Sequence, residues 1–342
     1  MISSEYLDRP VNGQKMLYGA IQGMVESLGD PYTSFLPPEI NKAVMSSLNG
    51  TYEGIGAELG LDKNGQLIVV SPLDGSPAKA AGVQPGDKIL KIEEDSTVGI
   101  AITEAVAKIR GQAGTISTLT LQRGAGEPVV VRIKREKITI ASATWKDEGD
   151  GVVYIRLSRF GSDTNAEWDK VVSEINVGMK NISVIVLDVR GNPGGYLLSS
   201  VHVAGEFQRN KTVVFQETAT GELLPLETTR VGSFEKIPTY VLIDSGSASA
   251  SEILAAALKD NSDAILIGTK SFGKGTIQDA KEFEDGSGLH LTVSKWLTPN
   301  KEWVHEVGLE PDVVVERTQE DITSLRDPQL DKALEMARTG AR

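Results

Sequence analysis

The sequence predicts an α/β core with a largely parallel sheet, preceded by a separate strand-rich domain and an N-terminal helical segment. Three observations predict this. The chain has 342 residues, more than one typical domain. Its hydrophobic pattern changes from a helical period to short strands near residue 51. From Gly151 onward, β-branched runs alternate with helix-forming ones, the signature of βα units whose sites lie at strand C-terminal ends.

Over residues 13–28, Met16, Leu17, Ala20, Ile21, Met24, Val25 and Leu28 recur at i, i+3/i+4 spacing, which predicts an amphipathic helix. DPYTSFLPPE then breaks it with prolines. Between residues 54 and 134 the runs GIGAELGL, LIVVSPL, GDKILKI, STLTLQR and VVVRIKR read as strands. The segments SPAKAAG and ITEAVAKIRG between them read as short helices. The core then follows as YIRLSRF (strand), AEWDKVVSEI (helix), NISVIVLDV (buried strand), LLSSVHVAGEF (helix), TYVLID (strand), SEILAAALKD (helix) and AILIG (strand). The expected divisions are 1–50 for the helical segment, 51–136 for the strand-rich domain, 137–320 for the α/β core and 321–342 for a C-terminal helical tail.

Composition excludes some functions. Net charge is 35 − 47 = −12, which argues against a nucleic-acid partner, since phosphate binding needs clustered Lys and Arg. With no cysteine there is neither a disulfide framework nor a thiolate metal site. No apolar run approaches the roughly 18 residues of a membrane span. MISSEYLDRPVNGQK lacks the charged-then-apolar layout of a signal peptide, so the chain is either cytosolic or has a targeting segment outside the residues given.

The stretch DSGSASASEIL holds Ser245, Ser247, Ser249 and Ser251 between a buried strand and a helix, where free amides and the helix dipole favour developing negative charge. The histidines, His202, His290 and His305, sit in no motif that would make one its base. Ser249 to Glu252 also reads as a capping box, an ordinary structural role. A second turn, RGNPGG (190–195), follows another buried strand and can bring unpaired N–H groups to the same sheet edge. Lys274, after AILIG, can act as a base once desolvated. Two other motifs carry less. GTKSFGKG matches the first seven positions of a P-loop, but Gly275 stands where Ser or Thr should hold magnesium. Ser76-Pro77-Ala78-Lys79 has S-x-x-K spacing, yet reads better as a helix cap followed by proline.

LDVRGNPGG, DSGSASASEILAAAL, GTKSFGKGTIQ and LTPNKEWVHEVGLEPD, in that order, resemble the carboxyl-terminal processing peptidases, or tail-specific proteases, over about residues 5–316. The resemblance implies an α/β core of crotonase-like (ClpP/crotonase) type, an inserted PDZ domain, and a serine peptidase with a Ser–Lys dyad. By motif position, Ser249 would be the nucleophile and Lys274 the base. Gln278 would orient the lysine, and the N–H groups of Gly195 and Ala250 would form the oxyanion hole. Some relatives add an acidic residue, here Asp260. Gly54, Ile55, Gly56 and Ala57 would bind a peptide carboxylate, with ITEAVAKIRG as the other groove wall and Arg110 coupling that domain to the active site.

Phe272, Gly273 and Gly275 are expected to help desolvate Lys274. Lys270 is expected on the surface, and the other three serines in loop or capping roles. No cofactor and no metal are implied. The implied partners are proteins with free, apolar C-terminal tails; a homo-oligomer stays open. Relatives carry an export signal or anchor ahead of the first helix, which implies a location outside the cytoplasmic membrane, in the periplasm, cell envelope or an equivalent lumen. Many relatives have Gly where this chain has Lys301 and Glu306. Two rival readings remain: a catalytically silent PDZ scaffold, and a crotonase-like acyl-CoA enzyme.

Overall fold

The computed structural model describes residues 2–62, 64–73, 75–318, 320, 321, 324 and 326–340. It divides into two compact units, one of Met1–Asn49, Ser142–Glu316 and Gln329–Arg342, the other of Gly50–Ala141 and Arg317–Pro328.

The larger unit is built on a six-stranded sheet in the order Ala143–Asp147, Val152–Leu157, Val184–Asp188, Thr239–Ile243, Ile265–Gly268, Val313–Val314. The first pair is antiparallel and all others are parallel. Val184–Asp188 and Thr239–Ile243 are buried at every position, which is why they read as unbroken apolar runs. Their side chains alternate between two cores. Ile185, Leu187, Val241 and Ile243 join Trp168, Ile253, Leu254 and Leu258 from the helices Thr164–Gly178 and Ala250–Ser262. Val184, Val186, Tyr240 and Leu242 face Ala333, Met336 and Ala337 of the helix Pro328–Thr339. The helix expected as a C-terminal tail is thus the second cover of the sheet. Residues 322, 323, 325, 341 and 342 of that expected segment lie outside the described residues.

A second, five-stranded sheet was not foreseen. It contains Ser34–Leu36, Thr212–Thr218, Leu223–Glu227, Thr276–Glu282 and Gly288–Leu297, all antiparallel where paired. The last two form a hairpin that starts two residues beyond Lys274, so Gly268–Gly275 leads into a strand, not the helix a P-loop requires. The residues read as a helix breaker, DPYTSFL, supply Ser34–Leu36, which pairs with Gly288, Leu289 and His290.

The helix Gly13–Glu26 forms as its periodicity predicts, and Asn12 caps it by accepting from Lys15 N–H at 2.9 Å. Of its residues only Val25 is buried, while Met16, Leu17 and Met24 are exposed. Periodicity specified the helix but not its burial.

The smaller unit holds a sheet ordered Ala57–Leu61, Leu67–Pro72, Lys88–Ile92, Ile116–Gln122, Val129–Lys134, with the helices Pro77–Ala80 and Ile102–Ile109. Ser76 caps Pro77–Ala80, accepting from Lys79 N–H at 3.2 Å, the structural role expected of it. Arg135 closes the end of Ile102–Ile109 by donating to the carbonyls of Ile109 (2.7 Å) and Lys108 (3.2 Å), as suits a cation at a helix C-terminus. Ala57–Leu61 is an edge strand of its sheet. An apolar groove runs beside it, lined by Gly54, Ile55, Gly56 and Ala57 on one side and Val106 and Ile109 on the other.

Candidate active site

Two turns at the C-terminal ends of the neighbouring parallel strands Val184–Asp188 and Thr239–Ile243 meet. The first is anchored by Asp188, a buried carboxylate that accepts from Tyr154 Oη (2.8 Å), Arg190 N–H (2.9 Å) and the Arg190 guanidinium (2.7 and 3.0 Å). Burial, then the adjacent Asp188 charge, pushes the Tyr154 phenol far above its ordinary range. Asp244 ties the turns together, accepting from Gly191 N–H (2.7 Å) and Gly246 N–H (2.9 Å). The Asn192 carbonyl accepts from Ala248 N–H (3.0 Å) and Ser251 Oγ (2.9 Å).

These contacts sort the four serines. Ser247 and Ser251 are fully buried and use their hydroxyls as struts, Ser247 donating to Val189 O at 2.8 Å. Ser245 is exposed on the loop. Ser249 is partly exposed at the N-cap of Ala250–Ser262, with φ 55° and ψ −115°. That conformation costs a non-glycine residue of order 1–3 kcal/mol and is held where surrounding structure over-determines it, as at nucleophile elbows.

Two N–H groups flank Ser249 without acceptors among the described residues: that of Ala250, the first residue of the helix, and that of Gly195. Gly194 lies against this point, since a Cβ there would sit 2.9 Å from Ser249 Cβ and 3.0 Å from Ala250 N. Gly195 has φ +138°, and a Cβ on it would sit 2.1 Å from Phe160 O, so only glycine turns the chain here. A pair of unpaired donors at a helix N-terminus can stabilise a developing oxyanion.

Glu252 connects the Ser249 turn to the lysine loop. It is fully buried. Its Oε2 accepts from Ser249 N–H (2.8 Å) and Lys274 N–H (2.9 Å), and its Oε1 from Ser271 Oγ (2.5 Å) and Gly273 N–H (2.7 Å). The sequence showed the first of these bonds as half of a capping box. The other three come from 19 to 22 residues further on and had no local signal.

Lys274 is half-buried, and desolvation holds its ammonium below the usual lysine range against the opposing pull of Asp30 and Glu252. Its Nζ makes no hydrogen bond or ion pair among the described residues, and lies 5.1 Å from the centroid of the Tyr32 ring. Ser249 and Lys274 are therefore brought to one site without a direct hydrogen bond between them.

Two expectations need correction, those for Gln278 and Phe272. Gln278 does not touch the lysine amine; its amide donates to Thr276 Oγ1 (2.9 Å) and Thr292 Oγ1 (3.0 Å). Phe272 is 55% exposed, so the ring packed on Lys274 is that of Tyr32. Gly273 and Gly275 do pack closely, Gly275 against Trp303 and His305. Asp260 lies at the far end of its helix, accepting from Asn300 N–H at 3.2 Å. Lys270 forms a surface ion pair with Glu310 at 2.8 Å.

Lys301 and Glu306 stand at φ 65° and 59°. That is a left-handed backbone, which glycine adopts without strain. Sequence reasoning also missed Asp30, Tyr32 and His305 around the lysine, because each reaches it only through the fold.

In the groove of the smaller unit, the N–H groups of Ile55 and Gly56 have no acceptor among the described residues. The Arg110 guanidinium lies 4.7 Å over the Tyr52 ring beside them.

Comparison with known proteins identifies the families of the two units. Residues 151–315 match peptidase family S41, residues 45–122 the PDZ domain, and residues 1–39 the activating protease CtpB N-terminal domain. The carboxy-terminal processing protease CtpB of Bacillus subtilis (strain 168) is 39% identical over 340 residues, covering 98% of this chain and 70% of that protein. CtpA of the same organism is 37% identical over 316 residues, covering 92% and 67%. Among solved structures, a photosystem II D1 C-terminal processing protease is similar with a TM-score of 0.56 and 27% identity, covering 91% of this chain and 84% of that one.

Proposed function

The chain belongs to peptidase family S41 as a PDZ-containing carboxy-terminal processing protease, and from that premise we propose that it cleaves peptide bonds through a Ser249–Lys274 dyad. The observation that carries this reading is the setting of Ser249. Alone among the four serines, it combines access, a strained strand-to-helix turn and two unpaired N–H donors.

Acylation then runs as follows. The neutral Lys274 amine takes the Ser249 proton while Oγ attacks the substrate carbonyl. The N–H groups of Gly195 and Ala250 hold the oxyanion. Lys274 returns the proton to the leaving amine; water, deprotonated by the Lys274 amine, then attacks the acyl carbon, and the proton passes to Ser249 Oγ as the ester bond breaks. Gln278 acts through Thr276 and Thr292, keeping the strand that follows the lysine in place. A core of crotonase-like type suits this chemistry, with donors at a helix N-terminus beside parallel strands.

The rival acyl-CoA reading predicts CoA binding, and the silent-scaffold reading an unreactive serine. A serine-reactive phosphonate followed by peptide mass spectrometry separates them. We expect one adduct, on Ser249. No adduct, or an adduct on Ser245, would reject the assignment.

The finer part of the reading concerns substrates. The free N–H groups of Ile55 and Gly56, an open edge at Ala57–Leu61 and an apolar groove support capture of a C-terminal tail as an added strand. Gly54 begins that loop, and Arg110 is the residue assigned to pass tail binding on to the active site. An extracytoplasmic location, following the resemblance, belongs to the same reading. No helix among the described residues is long and apolar enough to cross a membrane.

Amidating the C-terminus of a good substrate removes a charge-assisted hydrogen bond worth about 1.5–3 kcal/mol. Tail binding measured by calorimetry should weaken about ten- to 150-fold. Equal affinity for acid and amide would leave the groove without a carboxylate site.

A further inference from the structure

We propose that Tyr32 is a positioning residue for Lys274, its ring face carrying the ammonium that forms when the lysine takes the Ser249 proton. This rests on the dyad reading above. In that step the Ser249 O–H bond breaks, the proton joins the lysine lone pair, and the oxygen electron pair forms the bond to the carbonyl carbon. The amine becomes a cation inside a half-buried site. A ring face attracts such a cation but offers no acceptor lone pair to lock the proton in place, as a contacting carboxylate would.

The geometry supports a dedicated seat. Lys274 Nζ lies 5.1 Å from the ring centroid and has no hydrogen-bond or ion-pair partner among the described residues. The ring is held from several sides. Tyr32 N–H donates to Asp30 Oδ1 (3.0 Å), Thr33 Oγ1 donates to Asp30 Oδ2 (2.5 Å), and Thr292 N–H donates to Thr33 Oγ1 (3.0 Å). His305 meets the ring edge-on at 6.0 Å and stacks on Trp303 at 4.9 Å. The lysine loop is held to the same assembly. Trp303 Nε1 donates to Gly275 O (2.9 Å), and Trp296 Nε1 to Lys274 O (2.7 Å). The Tyr32 hydroxyl makes no hydrogen bond among the described residues, so the ring face is the part in use.

The surrounding charges are few. Asp30 on the turn and Glu252 on the helix favour the ammonium, against burial. His290, on the strand Gly288–Leu297, is held below its usual range by burial and then by the lysine charge. Behind the ring stand His305, whose Nδ1 accepts from Gly275 N–H at 3.4 Å, and Glu306. Burial first, then Glu252, Glu306 and Asp30, raises the Tyr32 phenol, which keeps the ring neutral while the lysine titrates.

Phosphonate labelling of Ser249, followed from about pH 5 to pH 10, tests the idea on the full chain. Replacing Tyr32 by an aliphatic residue would also admit water, which raises the lysine value and blurs the result. The comparison is therefore between Tyr32→Phe and a polyfluorinated phenylalanine at position 32, equal in shape but with a weakened ring face. Tyr32→Phe should keep the wild-type midpoint of the labelling curve. The fluorinated ring should move it to lower pH by about half a unit to one unit, because the cation loses stabilisation and the neutral amine does not. Equal midpoints in the two variants would overturn the proposal, since a merely structural ring would be blind to fluorination. Lys274→Ala supplies the control. If it labels as fast as wild type at every pH, the dyad reading itself fails, and the seat for its charge fails with it.

Discussion

Ser249→Ala abolishes peptide-bond cleavage, with an expected loss of about 10⁴-fold or more, the scale seen when an activated nucleophile is removed. In the proposed dyad this serine supplies the atom that bonds to substrate, and no neighbouring hydroxyl is placed to substitute for it. Ser247 and Ser251 are fully buried and spend their hydroxyls on Val189 O and Asn192 O, while Ser245 lies on the loop away from the helix N-terminus. Ser247→Ala and Ser251→Ala should therefore retain chemistry and lose stability, about 1–3 kcal/mol for each stranded polar partner. Ser249→Ala loses an N-cap hydroxyl, at about 1 kcal/mol, so its melting curve must stay close to wild type. Hydrolysis of a tail peptide by Ser249→Ala at a tenth of the wild-type rate would sink the assignment.

Much of this site was legible because its turns are local. RGNPGG and DSGSASAS each follow an apolar run too short and too β-branched for a helix. In a parallel sheet the ends of neighbouring strands converge. The convergence of Gly194 on Ser249 and Ala250 needed only that topology. What stayed hidden depends on distant pairing. The run from Thr276 to Leu297 mixes polar and apolar residues, and only its pairing with Ser34–Leu36 and Thr212–Thr218 makes it a second sheet. Tyr32 is separated from Lys274 by most of the chain, so DPYTSFL showed only its proline and turn residues. Glu252 gave a partial signal, since a capping glutamate predicts one of its four donors and leaves the rest to the lysine loop. The expected Gln278–Lys274 contact came from resemblance alone, and here the amide is taken by Thr276 and Thr292.

Lys274→Ala and Lys274→Arg should both be nearly inactive, by about 10²–10⁴-fold, the range a positioned general base contributes. Arginine is the informative variant, because it keeps a cation near Tyr32 yet holds its proton at any accessible pH. Wild-type activity should rise with pH as Lys274 loses its proton. Burial, only partly opposed by Asp30 and Glu252, puts that rise below the pH at which an ordinary lysine titrates. The same shift has a stability sign. A lysine whose folded value is depressed binds its proton more weakly in the native state than in the unfolded chain. Stability therefore increases as pH climbs from the folded value towards the unfolded one, and at neutral pH the buried ammonium is a net cost. Lys274→Met removes that charge and keeps the stem, so the variant should be inactive yet melt higher than wild type at pH 7. The gain should fade as pH rises towards the ordinary lysine range, where the wild-type amine is already neutral. A tail-peptide assay and melting curves across pH read both effects on the same preparations. Activity of Lys274→Arg within tenfold of wild type would rule out the base. A melting gain for Lys274→Met that grew with pH would mean that the amine is not disfavoured as a cation in the folded protein.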